Sequence, residues 1–191
     1  MRRLVFAAPV TRATLLEFFA MRNVTCTSDI ESEDTNDDAL AIRWSQNEEM
    51  RTVTFRDDIG TQLQYLTIES ESSDQEVSIE SDIRHGPFQF WSIESVLGDF
   101  DAAITPENTI HTFAKLVTAA PEAQDLLFLR RIELALGHPA PEVRAECLEL
   151  LSRVSWPELL VLITPLKRDP NGTVRHAATV APNEFRALGL G

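Results

Sequence analysis

Cysteine and glycine are scarce in this chain of 191 residues, which contains two cysteines and seven glycines. Cys26 and Cys147 lie far apart, and neither has a second cysteine or a histidine at the spacing of a zinc ligand. We therefore expect no structural zinc site, and two buried free thiols rather than the alternative, a disulfide. The low glycine content, with no glycine-rich phosphate loop and no GxGxxG sequence, argues against nucleotide binding.

Long apolar runs are also missing. No run approaches the roughly 20 residues that a transmembrane helix requires. The apolar stretch after Arg2 and Arg3 is five residues long, Leu4–Ala8, which is short for the roughly 7 to 15 residues of a signal-peptide core. We interpret it as a first strand and expect a cytoplasmic protein without a membrane partner.

Sequence patterns of catalysis are absent as well. There is no GxSxG or HExxH sequence, and no two histidines stand four residues apart. His138 occupies a turn, where capping is a more ordinary role than catalysis. The chain is therefore predicted not to be an enzyme, with no catalytic residues, no metal ligands and no cofactor. The four histidines are His85, His111, His138 and His176.

Basic residues are few, since 17 Lys and Arg stand against 30 Asp and Glu, for a net charge of −13. A nucleic-acid binder needs a basic face to displace counterions, so direct nucleic-acid binding is not expected. Residues 1–90 hold 17 acidic and 8 basic side chains, a net of −9, and residues 91–191 hold 13 and 9, a net of −4. Such acidity serves solubility, or it steers a basic protein partner toward the first half.

Acidic side chains cluster at two places in that first half. Ser28–Asp38 contains six acids and almost no apolar side chains, which predicts an exposed loop, and Asp57-Asp58 lies at a turn. A calcium loop would need a central glycine and a fixed spacing of ligands, and both are missing. The alternatives are a solvated loop and a docking surface for a cationic partner. The candidate docking residues are Asp29, Glu31, Glu33, Asp34, Asp37, Asp38, Asp57 and Asp58.

The first 86 residues predict an acidic α+β subdomain. Thr11 is a candidate N-cap for a helix that ends near Met21. Alternating apolar residues and turn signals predict three or four antiparallel strands with the helix packed on one face. The strands of this meander are Ala39–Ser45, Arg51–Arg56, Gln62–Glu69 and a continuation of the period of two from Val77 to about Ile83. Leu4–Ala7 is a further short strand candidate before the helix, and Val24–Thr27 is β-prone.

Residues 87–191 predict a helical subdomain. Apolar residues recur at helical spacing from Trp91 to Ala103, and Thr105 with Pro106 signals the start of a second helix that runs to about Ala119. From residue 122 onward a unit of helix, proline-containing turn and helix occurs twice, 31 residues apart. The aligned pairs are Ile132 with Ile163, Pro139 with Pro170, Val143 with Val174, Arg144 with Arg175, and Cys147 with Ala178.

The motif His/Asp-Pro-x-x-x-Val-Arg resembles the HEAT-like repeats of the phycobilisome-lyase type, over roughly residues 122–181. The resemblance implies a stack of antiparallel helices, because one hairpin cannot bury its own apolar face. It also implies that Arg144 and Arg175 bond to a turn carbonyl or to an acid of the neighbouring unit. Pro165 lies within the expected helix 157–168 and should kink it. Trp44, Trp91 and Trp156 are expected to pack in the core or between layers, and the alternative for a partly exposed tryptophan is an interface anchor.

Three functions are compatible with these features. The leading hypothesis is a non-catalytic protein-binding module, and in its specific form an immunity protein that neutralises a basic, nuclease-like toxin domain. The alternatives are an accessory protein similar to bilin lyases and a scaffold subunit that associates through the open end of the helical stack. The sequence does not determine the oligomeric state or the identity of the partner.

Overall fold

A computed structural model describes residues 1–22, 37–46 and 49–187. The chain divides into two compact units, Met1–Ser92 and Ile93–Gly191. The first unit combines a four-stranded antiparallel sheet with helices, and the described part of the second unit is helical. The chain therefore has the α+β architecture that the sequence predicts.

The sheet of the first unit has the strand order β1-β4-β3-β2, and all three neighbouring pairs are antiparallel. The strands predicted near residues 4, 39, 51 and 62 are confirmed, whereas the β-prone segment Val24–Thr27 lies outside the described residues. The elements of this unit are β1 Arg2–Val5, α1 Arg12–Ala20, β2 Asp37–Gln46, β3 Glu49–Asp58, β4 Leu63–Glu69 and α2 Ser73–Arg84.

Helix α1 begins as the sequence predicts, because the Thr11 side chain accepts a hydrogen bond from the backbone N–H of Thr14 at 3.2 Å. Its buried residues join the sheet in one apolar core, in which Phe6 and Phe18 each lie edge to face with Phe88. The buried members of this core are Leu4, Phe6, Leu15, Phe18, Phe19, Val53, Phe55, Leu66, Ile68, Ile79, Ile83 and Phe88.

The strand predicted from Val77 to Ile83 is wrong, since this segment is part of helix α2. Its buried residues follow the helical spacing Glu76, Ile79 and Ile83, while Val77 is 46% exposed. The side chain of Ser72 caps the helix by accepting from the N–H of Gln75 at 3.2 Å. The cap and the sheet surface that receives Ile79 and Ile83 decide in favour of the helix.

The segment after α2 returns to the sheet of the first unit. The N–H of Ala7 donates to the carbonyl of Gln89 at 2.8 Å, and the N–H of Trp91 donates to the carbonyl of Val5 at 2.9 Å. Because these bonds hold residues 89–91 beside β1, the compact first unit extends to Ser92. The subdomain limits 1–86 and 87–191 stay a prediction.

The second unit is built from short helices joined by tight turns. The predicted N-cap at Thr105 is confirmed, with Pro106 in the first helical turn. The second unit contains α3 Ile93–Asp101, α4 Pro106–Ala119, α5 Leu126–Leu136, α6 Pro141–Leu150, a 3₁₀ turn Leu151–Arg153, α7 Leu159–Ile163, a 3₁₀ segment Thr164–Arg168 and α8 Gly172–Ala187.

Pro165 interrupts the second repeated unit as predicted. Helix α7 ends at Ile163, and Thr164–Arg168 continues as a 3₁₀ segment. Proline has no N–H to donate to the preceding turn, so a regular α-helix cannot pass through this position without losing a hydrogen bond. Trp156, at 2% exposure, is part of the core, and its indole N–H donates to the carbonyls of Pro121 and Glu122.

Candidate functional site

Four of the eight predicted docking acids meet at one end of the β2–β3 ladder. Asp37 stands opposite Asp58, and Asp38 stands opposite Asp57. The sequence places Asp37 and Asp38 in an exposed loop, whereas the structure makes them the first residues of β2. We call these four aspartates the acidic edge. The other predicted acids, Asp29, Glu31, Glu33 and Asp34, lie outside the described residues.

Within the acidic edge, the two aspartates of β3 accept hydrogen bonds from the following turn and from β4. Asp58 is 7% exposed and accepts hydrogen bonds from the N–H and the hydroxyl of Thr61, at 3.1 and 2.6 Å. Asp57 accepts from Nε2 of Gln64 at 2.8 Å, and Oε1 of Gln64 accepts from the N–H of Val10 at 2.7 Å. Asp58 therefore organises its own turn, and the more exposed Asp57 is the better placed of the two to meet a partner.

The described turns of the helical unit show a second arrangement, which repeats. In the turn between α5 and α6, Nη1 of Arg144 donates to the carbonyls of His138 and Pro139 at 2.7 and 3.0 Å. In the turn before α8, Nη1 of Arg175 donates to the carbonyls of Asp169 and Pro170 at 2.8 and 3.0 Å. We call this arrangement the arginine clamp. The carbonyl bonds that the sequence predicted for both arginines are confirmed.

His138 and Asp169 occupy the same place in these two turns. Nδ1 of His138 accepts from the N–H of Ala140 at 3.1 Å, and Oδ1 of Asp169 accepts from the N–H of Asn171 at 2.8 Å. Each side chain thus caps the turn two residues ahead of it. The capping role predicted for His138 is confirmed.

Arg144, the arginine of the first clamp, also binds the turn before α8. Nε and Nη2 of Arg144 donate to Oδ2 and Oδ1 of Asp169, both at 2.9 Å, in a two-pronged ion pair. These bonds hold the pKa of the Asp169 carboxyl below its ordinary value; burial opposes the shift, and the N–H of Asn171 adds to it. The pair joins two turns that are 31 residues apart in the sequence.

A group of exposed aliphatic side chains lies on α5 and α7, which pack against each other. Leu127 and Leu134 are seven residues apart, so they lie on one face of α5, opposite the side that buries Phe128 and Ile132. Val161 stands 31 residues after Arg130, so the two residues have equivalent positions in the repeated units. We call this group the aliphatic surface; its members and their exposures are Leu126 76%, Leu127 58%, Leu134 60% and Val161 74%.

Sequence reasoning missed the aliphatic surface. The residues 126–136 read as a helix with apolar side chains nearly all around, and such a pattern does not tell which face is buried. The available signal was the excess of leucine: Phe128, Ile132, Ala135 and Leu136 already form a complete buried stripe. Leucines outside that stripe have no place in the core.

The helical unit also contains a cysteine thiol and a histidine that the clamps do not involve. Cys147 is a buried free thiol, and its burial, aided by the charge of Glu146, raises its pKa far above the ordinary value. His176 lines a shallow cavity of about 240 Å³ together with Glu149, Ala177, Val180 and Ala181. Within the described residues, no three His, Cys, Asp or Glu side chains are grouped so that they could hold a metal ion.

None of the helices in the described part of the chain combines the length and the apolar character needed to cross a membrane. Comparisons of the chain with family models, with curated proteins and with solved structures gave no match.

Proposed function

We propose that the chain is a non-catalytic protein-binding module, and specifically an immunity protein that neutralises a basic, nuclease-like toxin domain in the cytoplasm. The aliphatic surface carries this proposal. Four aliphatic side chains on two packed helices are each more than half exposed, and grouped exposure of this kind is typical of surfaces that a partner protein covers.

The proposal includes a HEAT-like stack for the helical unit. The support is the arginine clamp, which recurs with the same donor atom and the same two carbonyls after 31 residues. A repeated local geometry at a fixed sequence interval is the signature of stacked repeats, and such repeats generally serve as binding scaffolds. The free thiol of Cys147 is compatible with a reducing compartment such as the cytoplasm.

Charge supports the basic character of the partner. The net charge of −13 and the acidic edge create a negative potential that attracts a cationic domain over distance. In this proposal the acidic residues raise the rate of association with the partner. The aliphatic surface supplies the apolar area that is removed from water on binding. Glutamine at Leu127 and Leu134 would therefore weaken binding without changing the net charge.

The test uses co-expression with the product of the adjacent upstream gene, followed by pull-down and measurement of the dissociation constant. The double variant Leu127→Gln and Leu134→Gln should bind roughly 10- to 100-fold more weakly, because loss of the two apolar contacts together should cost about 1.4–2.8 kcal/mol. Val77→Gln is the matched control, since Val77 is also an exposed aliphatic side chain on a helix. It should bind as the wild type does.

A neighbouring gene without a toxin-like product would contradict the immunity role. Equal affinities for the double variant and for the wild type would remove the aliphatic surface from the interface. In that case, loss of binding on neutralising Asp37, Asp38 and Asp57, with the structural Asp58 left intact, would assign the contact to the first unit.

A further inference from the structure

The two arginine clamps differ in one respect. All three donor nitrogens of the Arg144 guanidinium are engaged: Nη1 with two carbonyls of its own turn, and Nε and Nη2 with the Asp169 carboxylate of the next turn. The Arg144 side chain is consequently only 12% exposed. This is the closed form of the clamp.

The Arg175 clamp is open. Its Nη1 makes the same two carbonyl bonds, to Asp169 and Pro170, at 2.8 and 3.0 Å. Among the residues that the structure describes, no carboxylate meets Nε or Nη2 of Arg175, and the residue is exposed. Within the described part of the chain, the Nε/Nη2 edge that binds an acid in the first turn therefore has no carboxylate in the second.

The open edge is prepared for a carboxylate. Two carbonyl bonds fix the guanidinium plane, so little side-chain freedom remains to be lost on binding. The two donors of the edge match the spacing of two carboxylate oxygens, and Arg144 demonstrates this pairing within the same chain.

We infer that the Nε/Nη2 edge of Arg175 is a docking site for an aspartate or glutamate that a partner protein presents in the turn of a helical hairpin. The ligand resembles Asp169: an acid three residues before the first residue of a helix, with its carboxylate directed at the preceding clamp. An exposed ion pair contributes little affinity, so a short peptide should bind weakly but saturably, and a partner that binds tightly must also cover the surface around Arg175.

A second copy of the chain does not provide this ligand from the described turns of its helical unit. Its Asp169 is already bound to Arg144. The residue three positions before α6 is His138, and the residue three positions before α4 is Ala103. The occupant that we propose is an acidic turn of a different protein. This site is separate from the acidic edge and from the aliphatic surface, so it does not depend on the proposed function.

The test is a titration of the full chain, followed by the Nε–Hε signals of arginine in ¹⁵N NMR spectra. The probe is acetyl-Asp-Pro-Asn-Gly amide, which copies the turn after Arg168, and the matched control is acetyl-Asn-Pro-Asn-Gly amide. The Asp peptide should produce a saturable shift of the Arg175 signal, which the variant Arg175→Lys identifies by its loss. The Arg144 signal should stay in place, because Asp169 occupies that clamp.

No shift of the Arg175 signal, or equal shifts with the Asp and Asn peptides, would overturn the inference. Either result is independent of whether a toxin partner exists.

Discussion

Two aspartate–arginine pairs of the helical unit share a two-pronged geometry and differ in burial. In the pair of Asp169 with Arg144 the side chains are 6% and 12% exposed, whereas in the pair of Asp101 with Arg131 they are 50% and 17% exposed. Water reaches the second pair through its exposed carboxylate and screens the attraction, so breaking that pair costs less than breaking a pair that is buried on both sides. Burial should therefore decide how much each pair contributes to stability.

We expect Asp169→Asn to lower the free energy of unfolding by about 2 kcal/mol or more, because Arg144 keeps its charge and loses its counterion. Asp101→Asn is the matched control and should cost less than about 1 kcal/mol. Urea unfolding at pH 7, followed by circular dichroism, measures both values. Similar small losses for the two variants would contradict the structural importance of the Asp169 pair.

The pH dependence of the same variant follows from the lowered pKa of Asp169. A group with a depressed pKa in the folded state stabilises the protein above its unfolded pKa, here about 3.9, and loses that contribution as the pH falls through the folded value. The stability difference between wild type and Asp169→Asn should be constant from about pH 7 to pH 5 and should shrink below about pH 4. A constant difference down to about pH 3 would assign the loss to the altered turn rather than to the charge.

At the scale of elements, glycine has opposite roles just after α2 and within α3. A Cβ at Gly86 would lie 2.9 Å from the carbonyl oxygen of Ile83 and closer still to Cε2 of Phe18, which is part of the core. A Cβ at Gly98, within α3, would meet nothing within 4 Å. The first glycine is required by packing, and the second only weakens its helix.

Gly86→Ala should therefore destabilise the chain by roughly 1–3 kcal/mol, as overpacking of a core does. Gly98→Ala should stabilise it by about 0.5–1 kcal/mol through helix propensity. Thermal and urea unfolding of the two single variants provide the comparison. Two changes of the same sign would show that the end of α2 adjusts more readily than its contact with Phe18 implies.

Helix α2 shows what the local sequence pattern can predict about an element and what it cannot. The alternation of Val77 with Ile79 suggested a strand, and only the sheet that receives Ile79 and Ile83 distinguishes the two periods. The caps at Thr11 and Thr105 were predictable, because a capping hydroxyl bonds to an N–H only three residues away. Local interactions were predictable, and the choice of the buried face was not.

At the scale of the whole molecule, the acidic excess predicts electrostatic steering of the proposed basic partner. Amide substitution of Asp29, Glu31, Glu33 and Asp34 should slow association about 10-fold at low salt, because the attraction acts before contact and is screened by ions. Stopped-flow association at several salt concentrations measures the effect. The matched control neutralises four exposed acids of the helical unit: Glu94, Glu107, Glu142 and Glu146.

The two variants separate a local effect from a global one. A slower association for the first variant alone would assign the steering to residues 29–34. An equal effect of both variants would assign it to net charge, and an unchanged rate for both would contradict steering altogether.

The sequence by itself determined the α+β division, the positions of most strands and helices, the break at Pro165 and the paired arginine clamps. These features depend on contacts between near neighbours in the chain, or on a repeat that appears directly as similar residues 31 positions apart. The tertiary structure alone decided that α2 is a helix, that Asp37 and Asp38 stand opposite Asp58 and Asp57, and that leucines of α5 remain exposed. It also decided that Arg144 is closed by Asp169 while Arg175 is open, because occupancy of a clamp depends on which element packs beside it.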